Sequence, residues 1–171
     1  MSKQQLRSAA YWIDKLQLQE HIEGGAFKEV YRSEMVIPQA VLSEDFKGNR
    51  NAGTSIYFLL QQGQFSALHK IASDEIWHFY YGDPLVVCEI SATGELIEHK
   101  LGADFEAGEK FQCVVKAGSW FGAMPAKESS YSLVGCTVAP GFDFADFELA
   151  HKEALLLQYP HLSNVISMLC R

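Results

Sequence analysis

The spacing of apolar residues changes along the chain and predicts two kinds of structure. From residue 3 to residue 18, apolar side chains recur every three or four positions, which predicts one amphipathic helix with its apolar side against a core. From Thr54 onward, short runs of strand-forming residues alternate with turn residues at nearly regular spacing. At least seven runs in about ninety residues, without a helix between them, predict an all-β antiparallel sandwich or barrel.

The segments outside this series complete the predicted organisation. Gly24 and Gly25 break the first helix, and a strand is predicted over 26–33. The polar stretch 35–53 predicts a long loop and is a candidate lid. Since no linker or repeat interrupts the chain, we expect one domain over residues 1–171. Its predicted parts are a barrel at about 24–148 and outer helices at about 3–18 and 149–169.

Composition and charge narrow the possible partners. Hydrophobic residues make up 48% of the chain, enough for a core without disulfides, and the four singly spaced cysteines are expected to be reduced thiols. The sequence has no signal peptide and no run of about 20 apolar residues, so we expect a cytoplasmic location and no membrane contact. A net charge of -7 without a basic cluster argues against a nucleic-acid partner.

The most informative stretch is residues 66–85, SALHKIASDEIWHFYYGDPL. It places a carboxylate, Glu75, in the most aromatic predicted strand, where a charge is costly unless it is partnered. Glu75 either reaches water at the strand end or lines a pocket together with His69. Strand alternation puts Glu75, Trp77 and Phe79 on one face and His78 on the other, unless a β-bulge intervenes.

Several motifs follow one another along the chain in an order that resembles the cupin jelly roll. His69, Glu75 and Gly82 match the first cupin motif, and Gly118 matches the glycine of the second. The segments EGGAFKEVYRS, TSIYFLL, DEIWHFYYGDPL, AGSWFGA and LVGCTVAPGFDF are similar to the branch called cupin family 5. The resemblance implies a jelly-roll barrel with a central pocket and a homodimer, and it implies no established reaction.

The chain departs from the metal-binding cupins that it resembles. Ile71 stands where those proteins have the second histidine, Phe121 where they have the third, and Pro125 in place of an asparagine. Neither Ile nor Phe can donate an electron pair to a divalent ion. We therefore expect no metal cofactor. The open alternative is a divalent metal on His69 and Glu75, joined by His78 if the strand is bulged.

The remaining candidates predict a pocket with aromatic walls. The candidate ligand-binding residues are Tyr57, Phe65, His69, Glu75, Trp77, His78, Phe79, Trp120, Phe121 and Tyr131. Such walls suit a ring, so the primary hypothesis is a protein that binds a small carbohydrate-like or ring-containing molecule.

Two enzymatic alternatives stay open beside this binding function. The first is a metal-free isomerase or epimerase, by analogy with such enzymes in the cupin superfamily. His69 would act as base, Glu75 would orient it and a pocket tyrosine would be the acid. The second is a metal-dependent enzyme with an atypical ligand set. A module that binds a metabolite and catalyses nothing is also consistent with these residues.

Other polar residues are interpreted as surface groups. His21, His99, His151 and His161 are expected to be ordinary surface histidines, and Asp143 to lie at the surface or a dimer seam. Arg32 and Lys70 are expected to be solvated, although each could reach an anionic ligand. The glycine-flanked strand near residues 26–32 is placed to add to a neighbour's sheet, which favours a homodimer.

Overall fold

A computed structural model describes residues 7–171 and contains two antiparallel sheets that face each other. The strands are β1 (Gln19–Glu20), β2 (Ala26–Arg32), β3 (Val36–Ile37), β4 (Arg50–Asn51), β5 (Thr54–Gln61), β6 (Ser66–Lys70), β7 (Asp74–Gly82), β8 (Leu85–Ile90), β9 (Leu96–Leu101), β10 (Gln112–Val115), β11 (Trp120–Pro125), β12 (Tyr131–Ala139) and β13 (Glu148–Leu149). The first sheet has the order β1-β2-β5-β12-β7-β10 and the second the order β13-β6-β11-β8-β9. This arrangement confirms the predicted jelly-roll fold.

The core lies between the two sheets because alternate residues of their strands point inward. Phe58, Trp77 and Val134 of the first sheet meet Val87 and Phe121 of the second, and all five are at most 2% exposed. The four cysteines are buried free thiols, as the sequence predicted.

Helix α1 (Ala9–Leu16) covers part of the outer face of the first sheet. Its first turn is capped by Ser8, whose side chain accepts a hydrogen bond from the backbone N–H of Tyr11. The helix ends before the predicted residue 18 because Gln17 adopts a left-handed conformation with φ 54°. The start of the predicted helix, residues 3–6, lies outside the described residues.

Two helices, α2 (Lys152–Gln158) and α3 (Ser163–Leu169), cover the outer face of the second sheet. Leu155, Ile166 and Leu169 pack there against Leu68 and Ile90. Both sheets are therefore apolar on two sides, one toward the core and one toward a helix.

No helix within residues 7–171 is long and apolar enough to cross a membrane, and the cytoplasmic location stays a prediction.

The segment predicted as a long loop, residues 35–53, contains the small β3–β4 sheet and is anchored by a buried ion pair. Arg50 donates hydrogen bonds to both carboxylate oxygens of Asp146, and the side chains are 4% and 5% exposed. At the sheet edge, β1 pairs only with Ala26 and Phe27, so among the described residues the remainder of β2 is paired on one side, by β5, and its outer side has no partner strand. The predicted homodimer through this edge stays a prediction.

Candidate functional site

A cavity of about 250 Å³ lies on the inner face of the first sheet. Its walls come from β2, β5, β7 and β12, from β6 of the second sheet, and from the segments before β2 and after β12. The lining residues are His21, Glu23, Phe27, Glu29, Arg32, Thr54, Ile56, Phe58, His69, Glu75, Trp77, Cys136, Val138, Phe142, Asp143 and Phe144. The exposed members of this set, Glu29, Arg32, Asp143 and Phe144, lie at the opening, and the buried ones form the interior.

Strand alternation in β7 places Glu75 and Trp77 on the cavity wall, as predicted. Both are buried, with 7% and 1% exposure, and Phe79 follows them on the inward face. His78 points outward, where its Nε2 lies 3.1 Å from Oγ1 of Thr137. A register shift against β12 occurs after Phe79, beyond His78, so it does not bring His78 to the side of Glu75.

His69 contacts a carboxylate that the sequence analysis did not identify. Nδ1 of His69 lies 2.7 Å from the carbonyl oxygen of Ala67 and 3.5 Å from Oε2 of Glu23. Since a carbonyl can only accept, Nδ1 carries the ring proton when the imidazole is neutral. Nε2 has no hydrogen-bond partner within the described residues, and it is therefore the nitrogen available to a molecule in the cavity.

The loop of residues 21–25 between β1 and β2 carries Glu23 into the cavity. The loop is closed by a hydrogen bond from the N–H of His21 to the carbonyl of Gly25, and the N–H of Ala67 binds the Glu23 carbonyl. Gly24 has φ 114°, and a Cβ there would lie 2.2 Å from the carbonyl oxygen of Phe65. Only glycine permits this close approach of the loop to β6.

Two further contacts hold the Glu23 side chain. The hydroxyl of Ser66 donates a hydrogen bond of 2.8 Å to Oε2 of Glu23, and Oε1 lies 3.8 Å from Nδ1 of His21. Glu23 thus lies between the two histidines of the cavity. This is the partnered arrangement that a buried carboxylate requires.

His21 is part of the cavity wall, so the prediction that it is a surface histidine is wrong. Nδ1 of His21 accepts the backbone N–H of Glu23 at 3.2 Å, so the proton of the neutral ring is on Nε2. Burial lowers the pKa of His21, against the opposing effect of Glu23, and neighbouring His69 lowers it further. His21 is therefore a neutral hydrogen-bond donor, whereas His69 presents a free acceptor nitrogen.

Glu75 is a carboxyl group kept protonated. Burial raises the pKa of Glu75 to about 8, and the negative charge of Glu23 adds to this rise, against a hydrogen bond from the Cys136 thiol. At neutral pH, Glu75 is therefore a neutral proton donor. The cavity combines a proton donor and a proton acceptor, which is the pairing that acid–base chemistry uses.

A β-bulge in β2 builds the opening of the cavity. Glu29 pairs with Ile56 of β5 and Arg32 pairs with Thr54, while Val30 is the additional residue between them. Without the bulge, the odd spacing of Glu29 and Arg32 would place them on opposite faces. With it, Nε and Nη2 of Arg32 donate to the two oxygens of Glu29 at 3.0 and 2.7 Å.

Several predicted pocket residues lie elsewhere in the fold. Tyr57 and Tyr131 belong to the apolar cluster beneath α1, and Nε1 of Trp12 donates to Oη of Tyr131 at 3.2 Å. Phe65 and Trp120 pack beneath the C-terminal helices. These four residues occupy the outer faces of the sheets because the helices there also require apolar partners.

Phe79 and Phe121 point into the barrel without lining the cavity. Phe79 packs on the edge of the core, and the Phe121 ring lies 4.1 Å from the His69 ring, measured between centroids. Phe121 therefore packs against the ring of His69 without lining the cavity itself. Of the predicted ligand-binding residues, His69, Glu75 and Trp77 line the cavity.

Among the charged lining residues and the histidines, the sequence analysis missed Glu23 and Glu29 and undervalued His21, Arg32 and Asp143. The available signal was the carboxylate directly before Gly24 and Gly25, since such a pair allows a chain to approach another strand closely. No comparable local signal existed for Arg32. None of the residues 35–53 lines the cavity, although Asn51 accepts a hydrogen bond from Arg32 at 2.9 Å.

The donor set does not fit the metal of the metal-binding cupins. Ile71 is 4% exposed within the core, and Phe121 fills the space against His69. Within residues 7–171, no three His, Cys, Asp or Glu side chains are arranged to hold a metal ion. These side chains therefore do not form a metal centre of that type.

The chain is similar to cupins over most of its length. Residues 10–150 match the family model Cupin_5, described as cupin superfamily (DUF985). A curated relative, "Uncharacterized protein YML079W" of Saccharomyces cerevisiae, is 32% identical over 143 residues, which is 78% of this chain and 71% of the relative.

Solved structures agree with this family match. Protein SO0799 from Shewanella oneidensis is 41% identical, with a TM-score of 0.86 over 97% of this chain and 99% of that chain. A "hypothetical protein from Leishmania major" is 35% identical, with a TM-score of 0.86 over 96% and 99% of the two chains. A cupin 2 domain-containing protein from Halorhodospira halophila, at 12% identity and TM-score 0.53, shares the fold alone.

Proposed function

Because the chain belongs to the Cupin_5 family of the cupin superfamily, we propose that its barrel cavity binds one small carbohydrate-like ring and exchanges protons with it. The observation that carries the proposal is that His69, on β6 of the second sheet, and Glu75, on β7 of the first, line the same cavity as an acceptor and a donor. The volume of about 250 Å³ equals that of roughly eight waters. This volume suits a single ring.

The proposed reaction is an isomerisation or epimerisation beside a carbonyl group. Nε2 of His69 takes the proton from the carbon next to the carbonyl, and protonated Glu75 gives its proton to the carbonyl oxygen. The bound molecule becomes an enol. Return of a proton to carbon and of the hydroxyl proton to Glu75 restores both side chains and yields the isomer.

The surrounding residues support these two roles. The imidazolium that forms on His69 lies beside the carboxylate of Glu23, with 3.5 Å between Nδ1 and Oε2. Glu23, and not Glu75, is therefore the orienting carboxylate in this mechanism. Since neither Tyr57 nor Tyr131 lines the cavity, Glu75 also takes the role of acid that the sequence analysis gave to a tyrosine.

Hydrogen–deuterium exchange tests the proposal. The protein is incubated in deuterated water with a panel of free aldoses and ketoses, and NMR follows deuterium entry at the carbon beside the carbonyl. We expect exchange with the wild type and its loss in His69→Ala, with His99→Ala as control. His99 pairs with Glu89 at 2.8 Å and does not line the cavity, so its removal leaves the proposed site intact.

Glu75→Gln separates catalysis from binding alone. The amide keeps the size and neutrality of the protonated acid but cannot release a proton to the carbonyl oxygen. In an acid–base enzyme this change lowers the rate far more than the affinity. Unchanged exchange in either His69→Ala or Glu75→Gln contradicts the proposed mechanism. A bound sugar that never exchanges deuterium would leave binding as the whole function.

A further inference from the structure

We infer that the ligand of this cavity carries no negative charge, so that the protein takes a free or amino-bearing ring and excludes phosphorylated, nucleotide-linked and acidic ones. This inference rests on the proposed small-molecule site and names its substrate class. It follows from the charges that line the cavity and from the way in which they are already paired.

The lining contains more acidic than basic groups. Glu23 lies in the interior, and Glu29 and Asp143 lie at the opening. Arg32 is the one Lys or Arg side chain among the described lining residues. An anionic ligand would therefore meet a cavity whose ionised groups are predominantly of its own sign, and in a partly dehydrated site like charges repel strongly.

Arg32 is not available to hold an anion. Two of its N–H groups donate to Glu29, and Nη1 donates to Oδ1 of Asn51 at 2.9 Å and to the carbonyl of Phe142 at 3.2 Å. Four of the five N–H donors of the guanidinium are thus engaged. A phosphate or carboxylate needs the free fork of donors that Arg normally offers, and here Glu29 already occupies it.

The environment of Glu75 disfavours the ionised form of a carboxyl group in this cavity. Its side chain is buried in the cavity wall, and both burial and the charge of Glu23 act against its ionised form, against a hydrogen bond from Cys136. A carboxylate or phosphate brought in by a ligand would experience the same two effects. In contrast, the aromatic side chains of Phe27, Phe142 and Phe144 line the cavity, and aromatic side chains favour an uncharged ring or a cation.

Three probes of equal ring size test the inference: benzyl alcohol, benzylammonium and benzoate. Binding is measured at millimolar concentrations by titration of the ¹H–¹⁵N spectrum, in which the indole N–H of Trp77 reports on the cavity. We expect the alcohol and the ammonium to bind at least about tenfold more tightly than benzoate, a ratio that corresponds to one modest like-charge interaction.

Glu29→Gln is the informative variant because it removes one opening charge and releases Arg32. We expect benzoate to gain about tenfold in affinity while benzyl alcohol changes by less than about twofold. Glu98→Gln, on exposed β9, is the matched control and leaves the affinity order of all three probes unchanged.

The outcomes separate this inference from the proposed function. Benzoate binding to the wild type as tightly as benzyl alcohol overturns the charge selection and leaves the ring-binding site standing. If none of the probes shifts the Trp77 resonance, the ring-binding site fails, and the charge selection fails with it.

Discussion

Oε2 of Glu23 lies 3.5 Å from Nδ1 of His69, in a cavity that also holds the protonated carboxyl of Glu75. Glu23 is held by Ser66 beside two imidazoles, whereas Glu75 is buried in an apolar wall, and this burial together with the charge of Glu23 raises the pKa of Glu75 to about 8. A carboxyl group whose pKa is raised in this way can donate a proton at neutral pH.

The first prediction concerns the coupling between these carboxyl groups. In Glu23→Gln the pKa of Glu75 falls below about 8, because the negative charge that opposes its ionisation is removed. NMR titration of protein with ¹³C-labelled glutamate side chains measures this pKa. Glu29→Gln, at the cavity opening, is the control and leaves the Glu75 titration in place. An unshifted Glu75 titration in Glu23→Gln would show that Glu23 does not contribute.

The second prediction concerns the pH dependence of stability. The folded protein holds a proton on Glu75 up to about pH 8, whereas the unfolded chain releases it near 4.5. The free energy of unfolding therefore falls as pH rises from 4.5 to about 8, by an amount on the order of 5 kcal/mol from this group. In Glu75→Gln this contribution is absent.

Urea unfolding across this pH range compares the wild type with Glu75→Gln. The difference between the two should grow steadily in favour of the variant as pH rises, and it should level off above about pH 8. Exposed Glu98→Gln serves as control. Parallel curves for the wild type and Glu75→Gln would mean that Glu75 titrates normally in the folded protein.

The third prediction concerns the buried ion pair between Arg50 and Asp146. Asp146→Asn leaves the guanidinium of Arg50 buried without its counter-charge, which costs about 3–5 kcal/mol of unfolding free energy. Chemical denaturation measures the loss. The partly exposed pair of Lys70 and Glu148, 2.8 Å apart, provides the comparison: Glu148→Gln should cost less than about 1 kcal/mol. Equal losses in both variants would contradict a special role for burial.

The fourth prediction concerns the glycine loop that carries His21 and Glu23. Gly24→Ala places a Cβ against the Phe65 carbonyl at 2.2 Å and should cost at least about 2 kcal/mol. Gly63 also has a positive φ, 79°, but a Cβ there would meet no atom within 4 Å, so Gly63→Ala is the control. It should cost only about 1 kcal/mol of left-handed strain. Thermal unfolding of both variants checks the difference, and similar losses would refute the close approach.

Local patterns in the sequence determined the strands and the faces of β7. Period-two alternation correctly placed Glu75, Trp77 and Phe79 inward and His78 outward, because alternation depends only on neighbouring residues. Ile71 and Phe121 show in the sequence itself that two of the four usual metal ligands are replaced, since a side chain without a lone pair cannot become a ligand by folding.

Tertiary structure decided which apolar and charged residues reach the cavity. Tyr57, Phe65, Trp120 and Tyr131 have the apolar character of pocket residues, but helices cover the outer faces of both sheets, and alternation cannot distinguish a helix-covered face from the core. The pairing of Glu29 with Arg32 depends on a bulge at Val30, and the contact of Glu23 with His69 joins distant parts of the chain. Such contacts arise from the packing of one strand on another, and the spacing of residues along the chain does not encode them.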